Sequence, residues 1–295
     1  MSRPDPGLTA VLARFGIART QPIGAGGEAT VYALGTERVL RVAHPGTDAS
    51  DLQQRYELLA ELARTPLPFA LPEVLDTGET AGRRWAVERR HPGAPLATAL
   101  VAARGPARVR LVEGYLAAAA TLGDVVPEAR PWFGDLIGPE PVRADTFAGW
   151  LLARAASGLA RSTPELQAVD PEPLAAAVAT ALGPSSPPAF VHLDVTPTNV
   201  LTEYGRITAV LDIGPSSAIG DRRLDPVTAA VHLCEPAVTP GVTPADVDAA
   251  RGWLRAAGLD ELYAPVRRWL GAFWAFATDD AGALAMCRTV LLEES

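Results

Sequence analysis

Val191-His192-Leu193-Asp194-Val195-Thr196-Pro197-Thr198-Asn199-Val200-Leu201 is followed, one short hairpin later, by Ala209-Val210-Leu211-Asp212-Ile213-Gly214. Strand-like apolar runs surround a polar loop. The loop carries an Asp, an Asn five residues on, and a second Asp thirteen after that, at the mouth of the hairpin. Phosphoryl transfer from Mg-ATP asks for these groups. One carboxylate must orient or deprotonate the attacking hydroxyl, and hard oxygen ligands must hold magnesium against the phosphates. Asp194 suits the first task; Asn199 and Asp212 suit the second. Immediately downstream, Gly220-Asp221-Arg222-Arg223-Leu224-Asp225-Pro226 predicts a helix that Asp225 caps and Pro226 opens.

These stretches resemble the aminoglycoside phosphotransferase and choline kinase-like family, distant relatives of protein kinases. The family signature runs roughly H-G-D-x-x-x-x-N-V-L, then D-[FW]-[GE], then G-D-P-x-x-D. His192, Asp194, Asn199, Asp212, Gly220, Asp221 and Asp225 match it, with the spacing kept inside each motif. Leu193 stands where glycine is usual, and Arg222 where proline is usual. The resemblance implies Asp194 as the catalytic base and Asn199 and Asp212 as magnesium ligands. It implies His192, Asp221 and Asp225 as braces of the loop.

Working outward, Ile23-Gly24-Ala25-Gly26-Gly27-Glu28-Ala29-Thr30-Val31-Tyr32 is close to the kinase G-x-G-x-x-G-x-V loop. Glycines let backbone N–H groups approach phosphates with no Cβ in the way. Gly24, Gly26 and Gly27 are therefore nucleotide-binding candidates. Trp85-Ala86-Val87-Glu88-Arg89-Arg90-His91-Pro92-Gly93 resembles the family's hinge, where backbone groups near Glu88 would hold the adenine. At the strand-three cation, Val39-Leu40-Arg41-Val42 offers Arg41 for the α/β-phosphates. All 26 basic residues are arginine, so any task given to a lysine elsewhere falls to arginine here, whose planar fork needs more room. The implied ion-pair partner of Arg41 is Glu57, sixteen residues on, with Glu61 on the same face as the alternative.

Up to about Pro95 the chain reads as short strands with one long helix. Arg19–Ile23 is a weak strand candidate; Ala29–Leu34 and Arg38–Ala43 flank a turn at Gly35–Glu37. Asp51–Arg64 follows as a helix, with Leu52, Tyr56, Leu59 and Leu62 as its apolar stripe and Ser50 or Asp51 as its cap. Glu73–Asp76 and Trp85–Glu88 are strand-like around the turn Gly78–Gly82. Beyond His91-Pro92-Gly93 the texture changes to alanine- and leucine-rich helices: Leu96–Arg104, Arg108–Leu122, Thr146–Leu159, Pro171–Leu182, Pro244–Ala257 and Pro265–Ala277. The proline-rich piece from Val126 to Arg143 reads as a loop or insertion. The expected fold is α+β and bilobal, protein-kinase-like, with a β-rich N-lobe over residues 1–92 and a mainly helical C-lobe over 93–295.

With 48% apolar and 20% charged residues, the chain has ample material for a packed core. Its longest apolar runs fall short of a bilayer span, and the N-terminus lacks a signal-peptide layout, which predicts a soluble, cytoplasmic protein with no membrane partner. Cys234 and Cys287 read as core thiols, too few for a disulfide framework or a zinc site. Trp269, Phe273 and Phe276, at i, i+4 and i+7, read as core packing in preference to a cation cage. Residues 1–95 hold 11 Arg and 11 Asp/Glu; residues 96–295 hold 15 and 23, the whole net charge of −8. That acidity argues against a nucleic-acid partner and favours a cationic small ligand. The expectation is a small-molecule hydroxyl kinase using ATP and Mg²⁺, with an aminoglycoside or another cationic acceptor. A kinase for a neutral sugar or macrolide, and a nucleotide-binding pseudokinase suggested by Arg41 and Leu193, stay open at this point.

Overall fold

A computed structural model of the chain describes residues 5–17, 22–26, 28–184 and 186–293. It opens with a helix the sequence reading does not anticipate, α1 (Pro6–Arg14), capped by the Asp5 carboxylate through the N–H groups of Gly7 and Leu8. The strand expected at Arg19–Ile23 lies largely outside the described residues. β1 (Gly24–Ala25), β2 (Ala29–Leu34) and β3 (Arg38–Ala43) follow, the last two with the expected limits. After α2 (Ala49–Leu62) come β4 (Val74–Thr80) and β5 (Arg83–Arg89), completing an antiparallel sheet in the order β1-β2-β3-β5-β4. Strand β4 runs through Gly78, so the turn narrows to Ala81-Gly82.

One face of this sheet presents Tyr32, Leu40, Val42, Trp85 and Val87 to Val11 and Leu12 of α1, a small separate core. Side chains alternate along a strand, so Arg41, Ala86 and Glu88 point the other way. On that side lies α2, whose cap is Asp48 rather than Ser50 or Asp51: its carboxylate accepts the Ser50 N–H at 2.7 Å. The buried stripe of α2 is Arg55, Leu58, Leu59 and Leu62, at i, i+3, i+4 and i+7. Relative to the predicted stripe the helix is rotated, which turns Arg55 inward and Glu57 out to solvent. Leu58, Leu59 and Leu62 belong to the large C-terminal core, not to the core under the sheet.

The chain then passes through β6 (Ala94–Pro95), α3 (Leu96–Ala102), α4 (Gly105–Leu122), β7 (Phe133–Asp135) and β8 (Arg143–Ala144). Next are α5 (Phe147–Ala160), the short α6 (Pro164–Gln167), α7 (Pro171–Leu182), β9 (Ala189–Val191), β10 (Val200–Glu203), β11 (Arg206–Val210) and β12 (Ala218–Gly220). Helices α8 (Leu224–Cys234), α9 (Pro244–Ala256), α10 (Tyr263–Trp274) and α11 (Ala281–Arg288) complete the C-lobe, with a π-helical turn at Thr289–Glu293. The predicted loop 126–143 contributes β7 and β8 to a sheet ordered β8-β7-β12-β9. Its prolines hide β7 and β8 from a local reading, and β12, which ties them to the rest of the sheet, lies far along the chain.

β6 pairs with β10, and Gly93 sits just before it at φ +110°, where a Cβ would lie 2.7 Å from the Thr202 carbonyl oxygen. The turn between the lobes is thereby stapled to the β10–β11 hairpin, with Thr208 Oγ1 donating to the Pro92 carbonyl at 2.7 Å. Trp269 and Phe273 are fully buried, as expected for core packing, and Phe276 is half-buried. A cation does stack there, but it is the protein's own: Arg154 lies 4.2 Å from the Phe273 centroid. Both cysteines are free, Cys287 buried and Cys234 half-buried. Among the described residues no helix is long and apolar enough to cross a membrane.

Candidate active site

Asp194 stands in the loop between β9 and β10. A bend in the backbone puts it there. Leu193 adopts φ +61°, the left-handed conformation that glycine takes readily, so the side chain that replaces the family's glycine leaves the bend in place. Asp225 holds that bend: its carboxylate accepts the N–H of His192 at 2.9 Å and of Leu193 at 2.9 Å. The predicted helix cap at Asp225 is not formed. Asp225 lies inside α8, whose N-cap is Arg223. Two buried N–H groups from a distant loop need an acceptor more than a helix end with access to water does. Burial raises the Asp225 pKa, while His192 and the two N–H bonds work in the opposite direction.

His192 joins the Asp194 loop to the end of the strand at Leu211. Its Nε2 meets the Leu211 carbonyl at 2.9 Å, and the Asp194 N–H approaches its Nδ1 at 3.3 Å. Asp221 does not reach this loop. It is bound by Arg223 through the backbone N–H, Nε and Nη2, and Arg223 also donates to the Leu182 carbonyl, so the brace is local to its own turn. Asn199 donates from Nδ2 to the Asp194 carbonyl at 3.1 Å and to the Asp194 carboxylate at 3.2 Å. Burial, then the neighbouring Asp212, push the Asp194 carboxyl well above the usual carboxylate range; Asn199 opposes this and Asp280 adds to it.

From the N-lobe, Arg41 reaches across to this loop. Its Nη1 and Nη2 both lie 3.4 Å from Asp212 Oδ1, and Nη2 lies 3.5 Å from Glu28 in the glycine-rich segment. These are long, loose contacts. Burial works against the Arg41 charge, but Asp212, Glu88 and Glu28 outweigh it and raise the pKa. Neither predicted partner on α2 takes part. Glu57 is exposed and accepts from Gln53 Nε2 at 2.8 Å; Glu61 pairs with Arg130 at 2.8 Å and accepts the Glu128 N–H. The rotation of α2 about its axis is the reason.

Glu88 also differs from expectation. It is still inside the sheet, opposite Val39 on one side and Val74 on the other, and its buried carboxylate pairs with Arg55 at 3.0 Å. Arg55 Nε in turn donates to the Ile213 carbonyl, one residue past Asp212, at 3.0 Å. Gly24 and Gly26 are exposed, and a Cβ at Gly26 would meet nothing within 4 Å. Among the described residues, packing does not require that glycine. Gly27 lies outside the described residues.

Of four further residues around this candidate site, three carry no local sequence signal and one carries a slight one. Tyr115 of α4 donates its hydroxyl to the Val195 and Ala229 carbonyls, and His232 of α8 also bonds the Val195 backbone. Asp280, the cap of α11, lies near enough to act on Asp194. Arg55 alone had a legible hint, a cation three, four and seven residues before Leu58, Leu59 and Leu62.

Asp212 and Asn199 suit the magnesium implied by the family resemblance. Asn199 directs its amide nitrogen at Asp194, leaving its oxygen as a donor, and the Asp212 side chain is 45% exposed. Two hard oxygen ligands fit an ion that completes its shell with waters and phosphates.

The fold recurs among solved structures. APH(2")-IIa in complex with gentamicin superposes with a TM-score of 0.65 at 14% identity, over 99% of this chain and 97% of that one. APH(4)-Ia gives 0.61 at 21% identity, over 98% of both chains. A thermostable APH(4)-Ia variant in ternary complex with AMP-PNP and hygromycin B gives 0.61 at 20% identity, over 97% of both. No curated protein matches the chain significantly. A family model described as "Phosphotransferase enzyme family" (APH) matches residues 19–277, through the glycine-rich segment, the Asp194 loop and the Asp212 turn alike, so the chain belongs to that family of phosphotransferase enzymes.

Proposed function

We propose that this protein moves the γ-phosphate of Mg-ATP to a hydroxyl of a cationic small molecule, an aminoglycoside or a related amine. The observation that carries the reading is the meeting of Arg41 from one lobe with Asp212 from the other, beside a half-buried Asp194. In this reading residues 1–92 bind the nucleotide and 93–295 supply the catalytic loop, metal ligands and acceptor site. The triphosphate lies under Gly24 and Gly26, with Gly27 in the same loop. Arg41 exchanges its loose contacts with Asp212 and Glu28 for the α/β-phosphates. Adenine is held by backbone groups of the hinge beyond β5, since Glu88 itself is laddered on both sides. Asn199 and Asp212 would hold Mg²⁺, which supplies charge neutralisation on the phosphates when bound. Asp194 orients the acceptor hydroxyl and takes its proton, and His192 and Asp225 keep the loop in register.

A cationic acceptor is supported by the acidic second half and by Asp280 near Asp194. Gentamicin and hygromycin B, which occupy two of the similar structures, are amines of that class. The test is ATP consumption against a panel of acceptors at low and high salt. Asp194→Ala should lower turnover about 10²–10⁴-fold, and unchanged turnover would remove Asp194 from the mechanism. The acceptor KM should rise with salt for a cation and stay flat for a neutral sugar, which would then replace the amine as substrate class.

A further inference from the structure

The kinase resemblance implies a strand cation paired with a helix acid, and the protein has reversed that polarity. On α2 the inward residue is Arg55, 4% exposed at its side chain, and the acid is Glu88 on the sheet. Strand register makes this matter for Arg41. Arg41 lies opposite Ala86 and Val39 lies opposite Glu88. Arg41 and Glu88 are therefore diagonal neighbours on one face of an antiparallel pair, a separation that long side chains can bridge. Glu88 is a competitor for the same guanidinium that Asp212 and the phosphates need.

We propose that Arg55 is a positioning residue for Arg41: by holding Glu88 and the Ile213 carbonyl together, it keeps Glu88 from capturing the Arg41 guanidinium and leaves that guanidinium aimed at Asp212 and the nucleotide. A carboxylate as buried as Glu88 cannot be left without a cation. With Arg55 removed, the next cation on that face is Arg41. An Arg41–Glu88 pair would be buried, whereas the present 3.4–3.5 Å contacts of Arg41 are replaceable by phosphate oxygens. The second bond of Arg55, to Ile213, ties the same control to the turn that carries Asp212. This inference rests on the nucleotide-binding reading above.

Mg-ATP affinity, measured by calorimetry with melting temperatures recorded alongside, tests it in two cycles. Arg55→Met should weaken Mg-ATP binding about tenfold, the worth of one charge-assisted hydrogen bond. Adding Glu88→Gln should restore affinity to within about threefold of the Glu88→Gln single variant, because the competing charge is gone. In an Arg41→Met background, Arg55→Met should have no further effect on affinity, since it acts through Arg41. A purely structural Arg55 would cost affinity in that background too, and that result overturns the inference. If Arg55→Met does not fold, Arg55→Lys carries the test. It keeps a charge against Glu88 and should bind Mg-ATP within about threefold of wild type, and a tenfold loss overturns the inference. A wild type without Mg-ATP binding overturns the kinase reading and this inference together; a wild type that binds, with an additive Arg55 and Glu88 cycle, overturns this inference alone.

Discussion

Leu193 holds φ +61° with its side chain wholly buried, a conformation that costs an L-residue about 1–3 kcal/mol. Asp225 offsets that strain by accepting the Leu193 N–H, and Tyr115 and His232 fix the Val195 backbone on the far side of Asp194. The Asp194 carboxylate is thus clamped from before and behind. His232 contributes a pH signature. Burial, opposed by the Val195 bond and reinforced by His192, pushes its pKa down to about 4. The folded value lies below the unfolded value of about 6.5, so the neutral ring's stability is fully present above about pH 6.5 and is lost as pH falls. The loss levels out below about pH 4. Between pH 7 and pH 4 the wild type should therefore lose about 3 kcal/mol more than His232→Gln, which has no such titration. Denaturant unfolding of both proteins across that range measures the difference in slope, and parallel curves would refute a buried neutral His232.

Helix α5 meets α10 closer than ordinary side chains allow. A Cβ on Gly158 would lie 2.1 Å from the Ala272 carbonyl oxygen and 2.8 Å from that of Phe273, both backbone atoms that cannot swing away. Gly158→Ala should destabilise the fold by about 1–3 kcal/mol through overpacking. Gly114, in the middle of α4, has nothing within 4 Å of its would-be Cβ, so Gly114→Ala should stabilise by about 0.5–1 kcal/mol through helix propensity. Chemical denaturation of the two variants checks the sign of each. Equal effects would mean that the α5–α10 approach is not tight in solution.

The two lobes share more than a linker. Leu58, Leu59 and Leu62 of α2 pack into the C-terminal core, Ala70 bridges to Ala209 beside β11, and Arg55 and Arg41 reach the Ile213 and Asp212 turn. A ligand between the lobes should therefore raise the melting of the whole molecule. ATP alone should stabilise weakly and ATP with Mg²⁺ clearly more, up to about 2.7 kcal/mol at 100 times Kd. Asp212→Asn should remove most of the magnesium-dependent increment, whereas Asp194→Asn should keep it and lose turnover. A thermal-shift series with and without Mg²⁺ reads this directly. An increment unchanged in Asp212→Asn would move the metal site elsewhere.

Whatever is encoded by spacing along a few residues was legible in the sequence. The hairpin β2–β3, the helix Pro171–Leu182, the loop holding Asp194 and Asn199, and the open glycine at Gly26 follow from alternation, caps and turn chemistry, which act over less than one element. The arginine-only usage and the acidic second half were legible as well. The choice between two adjacent apolar stripes on α2 was not, because 3.6-residue periodicity fixes that a helix is amphipathic but not how far it turns about its axis. That turn was decided by the C-terminal core that takes up Leu58, Leu59 and Leu62, and it exchanged Glu57 for Arg55. Asp225 went the same way: a local cap was open to it, and two buried N–H groups more than thirty residues away claimed it instead. Local sequence determined which side chains exist at each turn, and tertiary packing decided which of them face one another, because desolvated charges and N–H groups must be satisfied wherever the fold brings them.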